Sequence, residues 1–268
     1  MDPAAKPPKM KSEKHFTSSI QLWMRTDRPR QAGMDYWKGP HSGIIANTPG
    51  LHEYRQIHLA ENNSGMWPAA TGIDTTIPVE RKIDGLAEVT FESALSPLAG
   101  RNQTALAFDD EVNVFRRTLL YAGPPKFSRW YRVGEPGTPV GSRALVYLRR
   151  RSSANAITFH GFVKKELVPA LAAAGGLSEL RTQTFLPWSE KLWDTPNVAH
   201  DNPSEEHFHA SVVLGFETST LRDQFFAGKE IGAVTSLLKP VVSAVHAYDV
   251  EQTLTFVKDA HLLPQFET

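Results

Sequence analysis

The feature that most constrains this chain is a pattern that returns after nearly half its length. Ala144-Leu-Val-Tyr-Leu148-Arg149 repeats the character of Ile20-Gln-Leu-Trp-Met24-Arg25 at an offset of 124. Gly176-Leu177-Ser-Glu179 follows Gly50-Leu51-His-Glu53 at 126, and Gly215-Phe216-Glu217 follows Thr90-Phe91-Glu92 at 125. Each echo is short. Their constant spacing in constant order is what signals a duplicated unit. The 268 residues then hold two units of about half the chain. Gly134–Gly141 (Gly-Glu-Pro-Gly-Thr-Pro-Val-Gly) is turn-rich, helix-incompatible and suited to link them. The expected organisation is a flexible tail over 1–14, a first unit over 15–133, a linker over 134–141 and a second unit over 142–268.

Hydrophobic periodicity predicts the elements of the first unit. A strand runs through Phe16–Arg25. Met34, Trp37, His41, Ile44 and Ile45 follow 3-and-4 spacing and share a helical face. Pro40 falls inside that helix and predicts a kink, and Pro49-Gly50 ends it. Tyr54, Gln56 and His58 then alternate on one side of a strand. Leu86–Phe91 and Phe127–Arg132 read as strands. Ser93–Ala99 and Asp109–Tyr121 read as helices, the latter from Val112, Phe115 and Leu119. In the second unit Gly228–Val245 reads as a long helix kinked at Pro240.

A strand–helix–strand–strand–helix–strand unit is ferredoxin-like. Helices cover one face of its sheet, and the bare face needs a partner. The expected fold is therefore α+β: two tandem ferredoxin-like units forming an intramolecular α+β-barrel pseudo-dimer. The space between the two sheets is the expected ligand site. The long Glu61–Ile83 segment, with Trp67, is expected to be a lid or a partner-binding loop.

The stretch from Asp35 to His58 resembles the EthD family of small dimeric α+β-barrel proteins. Tyr36-Trp37, His41, Pro49-Gly50-Leu51, Tyr54, Gln56 and His58 fit that family's order, and Asp84-Gly85, Glu88 and Phe91 fit a later feature of it. Gly39-Pro40 before His41 departs from the pattern. The resemblance covers the first half of the chain. It implies a histidine facing the barrel region and a small hydrophobic substrate. It supplies fold more firmly than reaction.

Histidine exchanges a proton near neutral pH, which makes His41 the first candidate acid or base. The opposing reading is a hydrogen-bonded core histidine. Tyr54 and His58 are the other catalytic candidates. Tyr36, Trp37, Gln56, Trp67 and Glu88 are candidates for holding substrate. Three polar residues on one strand face are costly against a helix-packed core unless paired, so Tyr54, Gln56 and His58 are expected to face the cavity. Glu88 joins them only if Leu86, Glu88 and Thr90 turn inward. An offset of 126 carries His41 to Leu167, and Tyr54, Gln56 and His58 to Leu180, Thr182 and Thr184. The second unit thus lacks the polar set and reads as scaffold. His207 and His209 have the spacing of metal ligands on a strand, but without further ligands in pattern no metal is assigned.

Lys+Arg and Asp+Glu both number 29, so bulk charge attracts neither nucleic acid nor anionic lipid. There is no cysteine, which removes thiol nucleophiles and disulfides. No run is apolar enough to cross a bilayer. No phosphate-binding glycine loop, zinc-protease helix or nucleophile elbow occurs. The expected protein is cytoplasmic, free of cofactors, and a homodimer of the tandem unit at most. Its expected function is a cofactor-independent lyase or isomerase (dehydratase, decarboxylase or cyclase). It would use histidine acid/base chemistry on a hydrophobic aromatic or polyketide-like molecule. The alternatives are a cofactor-free monooxygenase, a non-catalytic binding protein, and a haem protein ligated through His246 or His160.

Overall fold

A computed structural model describes residues 10–264 except Lys126. Its centre is a closed antiparallel barrel of eight strands. The first half supplies β1 (Ser12–Met24), β2 (Leu51–Leu59) and β3 (Gly85–Phe91), with β4 (Phe115–Ala122) paired alongside β1. Then come β5 (Ser128–Tyr131), β6 (Ser142–Arg150), β7 (Glu179–Thr184), β8 (Ala210–Phe216) and the 17-residue β9 (Val242–Lys258), which a short β10 (His261–Leu262) extends. Around the ring the order is β9-β2-β3-β1-β5-β7-β8-β6, and β6 pairs with β9 to close it. The first half taken alone has the order β4-β1-β3-β2, and the second β9-β6-β8-β7.

Helices cover the outside. Over the first half lie α1 (Arg30–Tyr36), α2 (Ser42–Ala46), α3 (Ser96–Ala99) and α4 (Arg101–Glu111). Over the second lie α5 (Ala156–Phe162), α6 (Val168–Ala173), α7 (Ser219–Ala227) and α8 (Lys229–Leu238). A π-helical turn, Trp37–His41, joins α1 to α2. It accommodates Pro40, whose missing N–H a regular helix would have needed. A second π turn, Val163–Leu167, joins α5 to α6 at a position 126 residues on. Proline is therefore not what causes the turn, since Val163–Leu167 contains none.

Strand parity sorts the side chains into three cores. Trp23, Ile57, Leu86, Tyr121, Tyr147, Phe208 and Tyr248 fill the barrel. Ile20, Leu22, Trp37, Tyr54, Val89 and Phe115 pack between the first half's strands and its helices. Phe159, Leu167, Leu180, Val212 and Leu238 do the same in the second half.

Three sequence expectations are corrected. Asp109–Tyr121 is not a helix: α4 ends at Glu111 and β4 begins at Phe115. Residues on both faces of β4 are buried, so its apolar run fits either period, and pairing with β1 decides. Gly228–Val245 is likewise split. Pro240 ends α8 instead of kinking it, and Val242 opens β9. The Glu61–Ile83 segment is a strap, not a lid. Trp67 and Ile73 pack into the second half's helix layer, and Trp67 Nε1 donates to Thr235 Oγ1 at 2.9 Å. Ile77 and Ile83 reach the barrel core. Of the expected tail, Ser12–Lys14 already belong to β1, and residues 1–9 lie outside the described residues.

Candidate functional site

Register decides what each polar candidate can reach. On β2, Glu53, Arg55, Ile57 and Leu59 point into the barrel, so Tyr54, Gln56 and His58 point outward against the helices. The expectation that these three face the space between the sheets is corrected. They are also paired, which removes the cost that argued against a helix-packed position. Gln56 Nε2 donates to Trp37 O at 2.8 Å and to Tyr54 Oη at 2.9 Å. His58 Nε2–H donates to Gln56 Oε1 at 2.9 Å, and Gln252 Nε2 donates to His58 Nδ1 at 3.1 Å. The Trp37 ring stacks on His58 at 4.5 Å. Burial, then Arg30, pushes the His58 imidazole down to about 4, so the ring is neutral at physiological pH. Burial pushes the Tyr54 phenol up. This is a closed, satisfied network. It anchors the Trp37 turn to the sheet.

Trp37 lies so close to β3 that a Cβ on Gly85 would sit 2.4 Å from its Cζ3 atom. The Asp84-Gly85 pair therefore has two jobs. Glycine admits the indole. Asp84 Oδ1 accepts from Arg30 Nε at 2.6 Å, and its Oδ2 accepts from Met24 N at 2.7 Å.

Glu88 does turn into the barrel, with Leu86 and Thr90, but on the opposite side of the sheet from Tyr54. There it is bound to Arg55, whose Nη2 donates to Glu88 Oε2 at 2.6 Å and whose Nη1 donates to Glu179 Oε1 at 2.8 Å. Arg181 pairs with Glu53 and Glu179, and Arg143 Nε donates to Glu179 Oε2 at 2.6 Å. Burial pushes the Glu179 carboxyl up, but Arg55, Arg181 and Arg143 outweigh it and hold it far below the carboxylate range. Three arginines and three glutamates thus balance inside the barrel and join the halves. Glu88 is committed there and unavailable to a ligand outside.

His41 sits where a proton-transfer group would need support. Its Nδ1 is 2.8 Å from Asp110 Oδ2, and Tyr36 Oη donates to Asp110 Oδ1 at 2.7 Å. A carboxylate can only accept, so the neutral ring carries its proton on Nδ1 and its lone pair on Nε2. The hydrogen bond from His41, outweighing burial, holds the Asp110 carboxyl below its usual range. Phe115 meets the His41 ring edge-on at 5.4 Å. Asp110 carried no signal in the sequence, because the segment around it was read as the start of a different helix.

One helical turn beyond His41, Ile45 lines a cavity of 380 Å³ between the sheet and the helices of the first half. Its floor is Ser18 and Ile20 of β1, Val89 and Phe91 of β3, and Leu120 of β4. Thr48, Arg101 and Thr104 form the roof, and Leu192 and Trp193 close one side. The wall is mostly apolar, with hydroxyls and one guanidinium at its edges. Behind Trp193 lies Glu111, which accepts from Trp193 Nε1 at 3.0 Å and from Thr195 Oγ1 at 2.6 Å. Burial pushes the Glu111 carboxyl up to about 7, against those hydrogen bonds. Neither the cavity nor Glu111 was visible in the sequence. Both depend on the loop at 186–200 folding back from the second half.

The remaining histidines stand apart from this cavity. His246 is sealed in the barrel core against Phe208, and burial pushes it down to about 3. No described cavity reaches it, so it does not fit an axial haem ligand. His160 lines a separate cavity of 230 Å³ with Val163 and Thr184. His207 Nε2 is 2.9 Å from Asn202 O, whereas His209 Nδ1 accepts the Arg150 N–H at 3.2 Å. They have different partners, and no group of three metal-ligating side chains exists among the described residues. No helix among them is long and apolar enough to cross a membrane.

No family model and no curated protein matches the sequence. Solved structures match in fold. A candidate monooxygenase of Lactobacillus acidophilus NCFM is 11% identical, with a TM-score of 0.51 over 94% of this chain and 100% of its own. An anthrone oxidase-like protein is 9% identical, with a TM-score of 0.56 over 91% and 94%. A candidate monooxygenase of Fusobacterium nucleatum is 7% identical, with a TM-score of 0.52 over 91% and 98%. At these identities the likeness is one of fold alone.

Proposed function

We propose that the chain is a cofactor-independent acid/base enzyme for a hydrophobic, aromatic small molecule, which it holds in the 380 Å³ cavity of its first half. The observation that carries this reading is the cavity itself: set between sheet and helices and open to solvent, apolar, and of the size that holds a fused-ring ligand. His41 is buried and does not itself line the cavity; oriented by Asp110 and one turn from the lining Ile45, it is the proposed base. It would take a proton from an activated carbon of the bound ring system. The resulting enolate or phenolate then loses a leaving group or takes the proton back elsewhere, which is lyase or isomerase chemistry.

A second reading, oxygen insertion into the same carbanion by dioxygen, is favoured by the neighbours described as candidate monooxygenases and anthrone oxidase-like. The two share site and base and differ in whether oxygen is consumed. Tyr54, Gln56 and His58 enter neither as acids or bases; their role is to hold the Trp37–His41 turn.

The resemblance to EthD proteins and the duplication belong to the same proposal. The two strand orders and the π turns 126 residues apart support two ferredoxin-like units, over 15–133 and 142–268 with 134–141 between them, forming a pseudo-dimer. Light scattering of the purified chain tests the proposed homodimer.

The test of function is turnover of anthrones and related phenolic ketones by the full chain, with oxygen uptake monitored. Ile20→Trp fills the cavity and should abolish both binding and turnover. Unchanged binding in that variant would remove the cavity from the mechanism. Binding without any product would leave a ligand carrier in place of an enzyme.

A further inference from the structure

A second cavity, of 400 Å³, opens at one end of the barrel and differs from the first in every chemical respect. Its wall is polar. Three consecutive arginines, Arg149, Arg150 and Arg151, meet there at the end of β6, with Ser152 and Ser153 of the following turn and His209 and Ser243 from the neighbouring strand segments. We propose that this cavity binds a phosphate-sized oxyanion, either free or as a phosphomonoester.

The argument rests on the donor set. Arginine and serine hydroxyl groups donate, and the arginines have no acceptor at all. His209 is a donor too. Its Nδ1 accepts the backbone N–H of Arg150 at 3.2 Å, so the neutral ring carries its proton on Nε2. The single carboxylate in the wall is Glu205, which is exposed and takes a hydrogen bond from Ser204 at 3.3 Å. Three arginines and one glutamate therefore contribute to the wall.

The arginines differ in how far the protein satisfies them: Arg150 Nη1 donates to Ala154 O, and Arg151 donates through Nε to Lys239 O at 2.7 Å and through Nη2 to Gly72 O, whereas Arg149 is nearly unpartnered. Arg149 has one long contact, 3.4 Å from Nη2 to Glu206 O, and its Nε is buried without a partner, as is the Nε of Arg150. Arg149 additionally lies over the Phe208 ring at 5.6 Å, with Arg81 over the same ring at 5.9 Å. Packing cations together around one ring is unfavourable unless something of opposite charge is near. Glu206 is bonded to Arg81; it and Asp74 act on Arg149 through space, but the one hydrogen bond Arg149 makes is to that carbonyl. An oxyanion in the cavity would accept from Arg149, from the serine hydroxyls and from His209 Nε2, in the way guanidinium groups hold phosphate.

The cavity is independent of the proposed catalytic site, so its test can fail without touching that reading. Inorganic phosphate is titrated into the full chain by calorimetry at constant ionic strength, with chloride as the reference salt. Saturable one-to-one binding of phosphate over chloride is expected. A hydrogen bond to a charged group is worth ~1.5–3 kcal/mol, so Arg149→Gln should weaken binding about tenfold or more. Glu205→Gln removes the competing carboxylate and should tighten it. Ser153→Glu changes an exposed side chain, leaves packing intact and should abolish binding by repulsion. The histidine-proton resonances of His209 should shift with phosphate in the wild type and not in Ser153→Glu. Phosphate binding no tighter than chloride, or unchanged in a folded Ser153→Glu protein, overturns the proposal.

Discussion

The two halves share a strand order and a π turn, yet they fill the layer between sheet and helix differently. In the first half Trp37 occupies the start of the π turn and sets its ring against Gly85. In the second half Val163 stands at the start of the π turn. The residue paired with Thr184 is Ala210, where the first half pairs His58 with Gly85. A large ring needs a glycine beneath it; a valine does not. The consequence is a shift of empty space. The second half keeps a 230 Å³ hollow beside Val163 and Thr184, with polar and charged residues around it. The first half closes that place with indole and imidazole, and opens its 380 Å³ apolar cavity farther along, beside Ile20 and Leu120. Two halves of like strand order can thus hold two different hollows, set by where one large side chain lies.

The largest expected effect tests whether chemistry is confined to the first half. A positioned general base contributes about 10²–10⁴ in rate, so His41→Ala should lower turnover by that factor while its far-ultraviolet circular dichroism stays unchanged. Asp110→Asn should lower turnover as well, since it unsettles which ring nitrogen holds the proton. Leu167→Met, at the corresponding place in the second half, should leave turnover unaltered. Comparable losses from His41→Ala and Leu167→Met would erase the distinction between the halves.

The next effect concerns the exchange of large and small. Replacing a buried tryptophan by a small residue costs about 3–5 kcal/mol, so Trp37→Val should lower stability in denaturant titration by that order. It should also create in the first half a hollow like the one at Val163, detectable by uptake of a small apolar probe. Gly85→Ala should be destabilising too, because its Cβ would strike the Trp37 ring. Combined with Trp37→Val it should cost much less than alone, a coupling that a double-mutant cycle reads directly.

Much of this arrangement could be read in the sequence, and the misses share one cause. The strands near Phe16, Tyr54 and Leu86 were legible, and the echoing stretches Ile20–Met24 and Ala144–Leu148 fall in β1 and β6. Trp37, His41 and Gly85 were all singled out. What failed was side. Alternation shows that Tyr54, Gln56 and His58 lie together, but not whether they lie inside or outside. That depends on Arg55 and Glu88 finding charge partners in the second half, Glu179 and Arg181. The continuously apolar segments 112–121 and 241–245 failed similarly. A strand buried on both faces has no distinctive period, and its identity comes from its neighbours. Asp110, Glu111 and Trp193 were invisible as a group because a loop from the second half completes them.

That loop makes the first half's cavity dependent on a carboxyl group, which gives a smaller, pH-dependent effect. Glu111 is raised from 4.5 to about 7 by burial. Below pH 4.5 it is protonated in both folded and unfolded chains and contributes nothing to the difference. Between there and pH 7 the folded chain holds the proton more tightly, so stability falls as pH rises. The total is about 3 kcal/mol at 1.36 kcal/mol per unit. Glu111→Gln should flatten that limb. His58, depressed to about 4, acts oppositely and loses its contribution as pH falls below 6.5. The comparison is therefore made as wild type minus Glu111→Gln across pH 4–8. A difference that does not change with pH would mean that burial does not raise the Glu111 carboxyl.

The smallest expected effect is the sharpest test of what the outward network is for. Tyr54 accepts from Gln56 Nε2, and the buried phenol stays protonated because burial raises it. If the network only anchors the Trp37 turn, Tyr54→Phe removes one hydrogen bond and leaves the ring packing against Phe256, which stacks on it at 5.3 Å. The expected cost is about 1 kcal/mol of stability, with turnover within a factor of two of wild type. If the phenol instead shares a proton with substrate, Tyr54→Phe would leave stability nearly alone and lower turnover by orders of magnitude. The two outcomes separate on different axes, so one variant distinguishes a structural fastening from a catalytic one. It also shows whether the polar set that the second half lacks holds up the site or forms part of it.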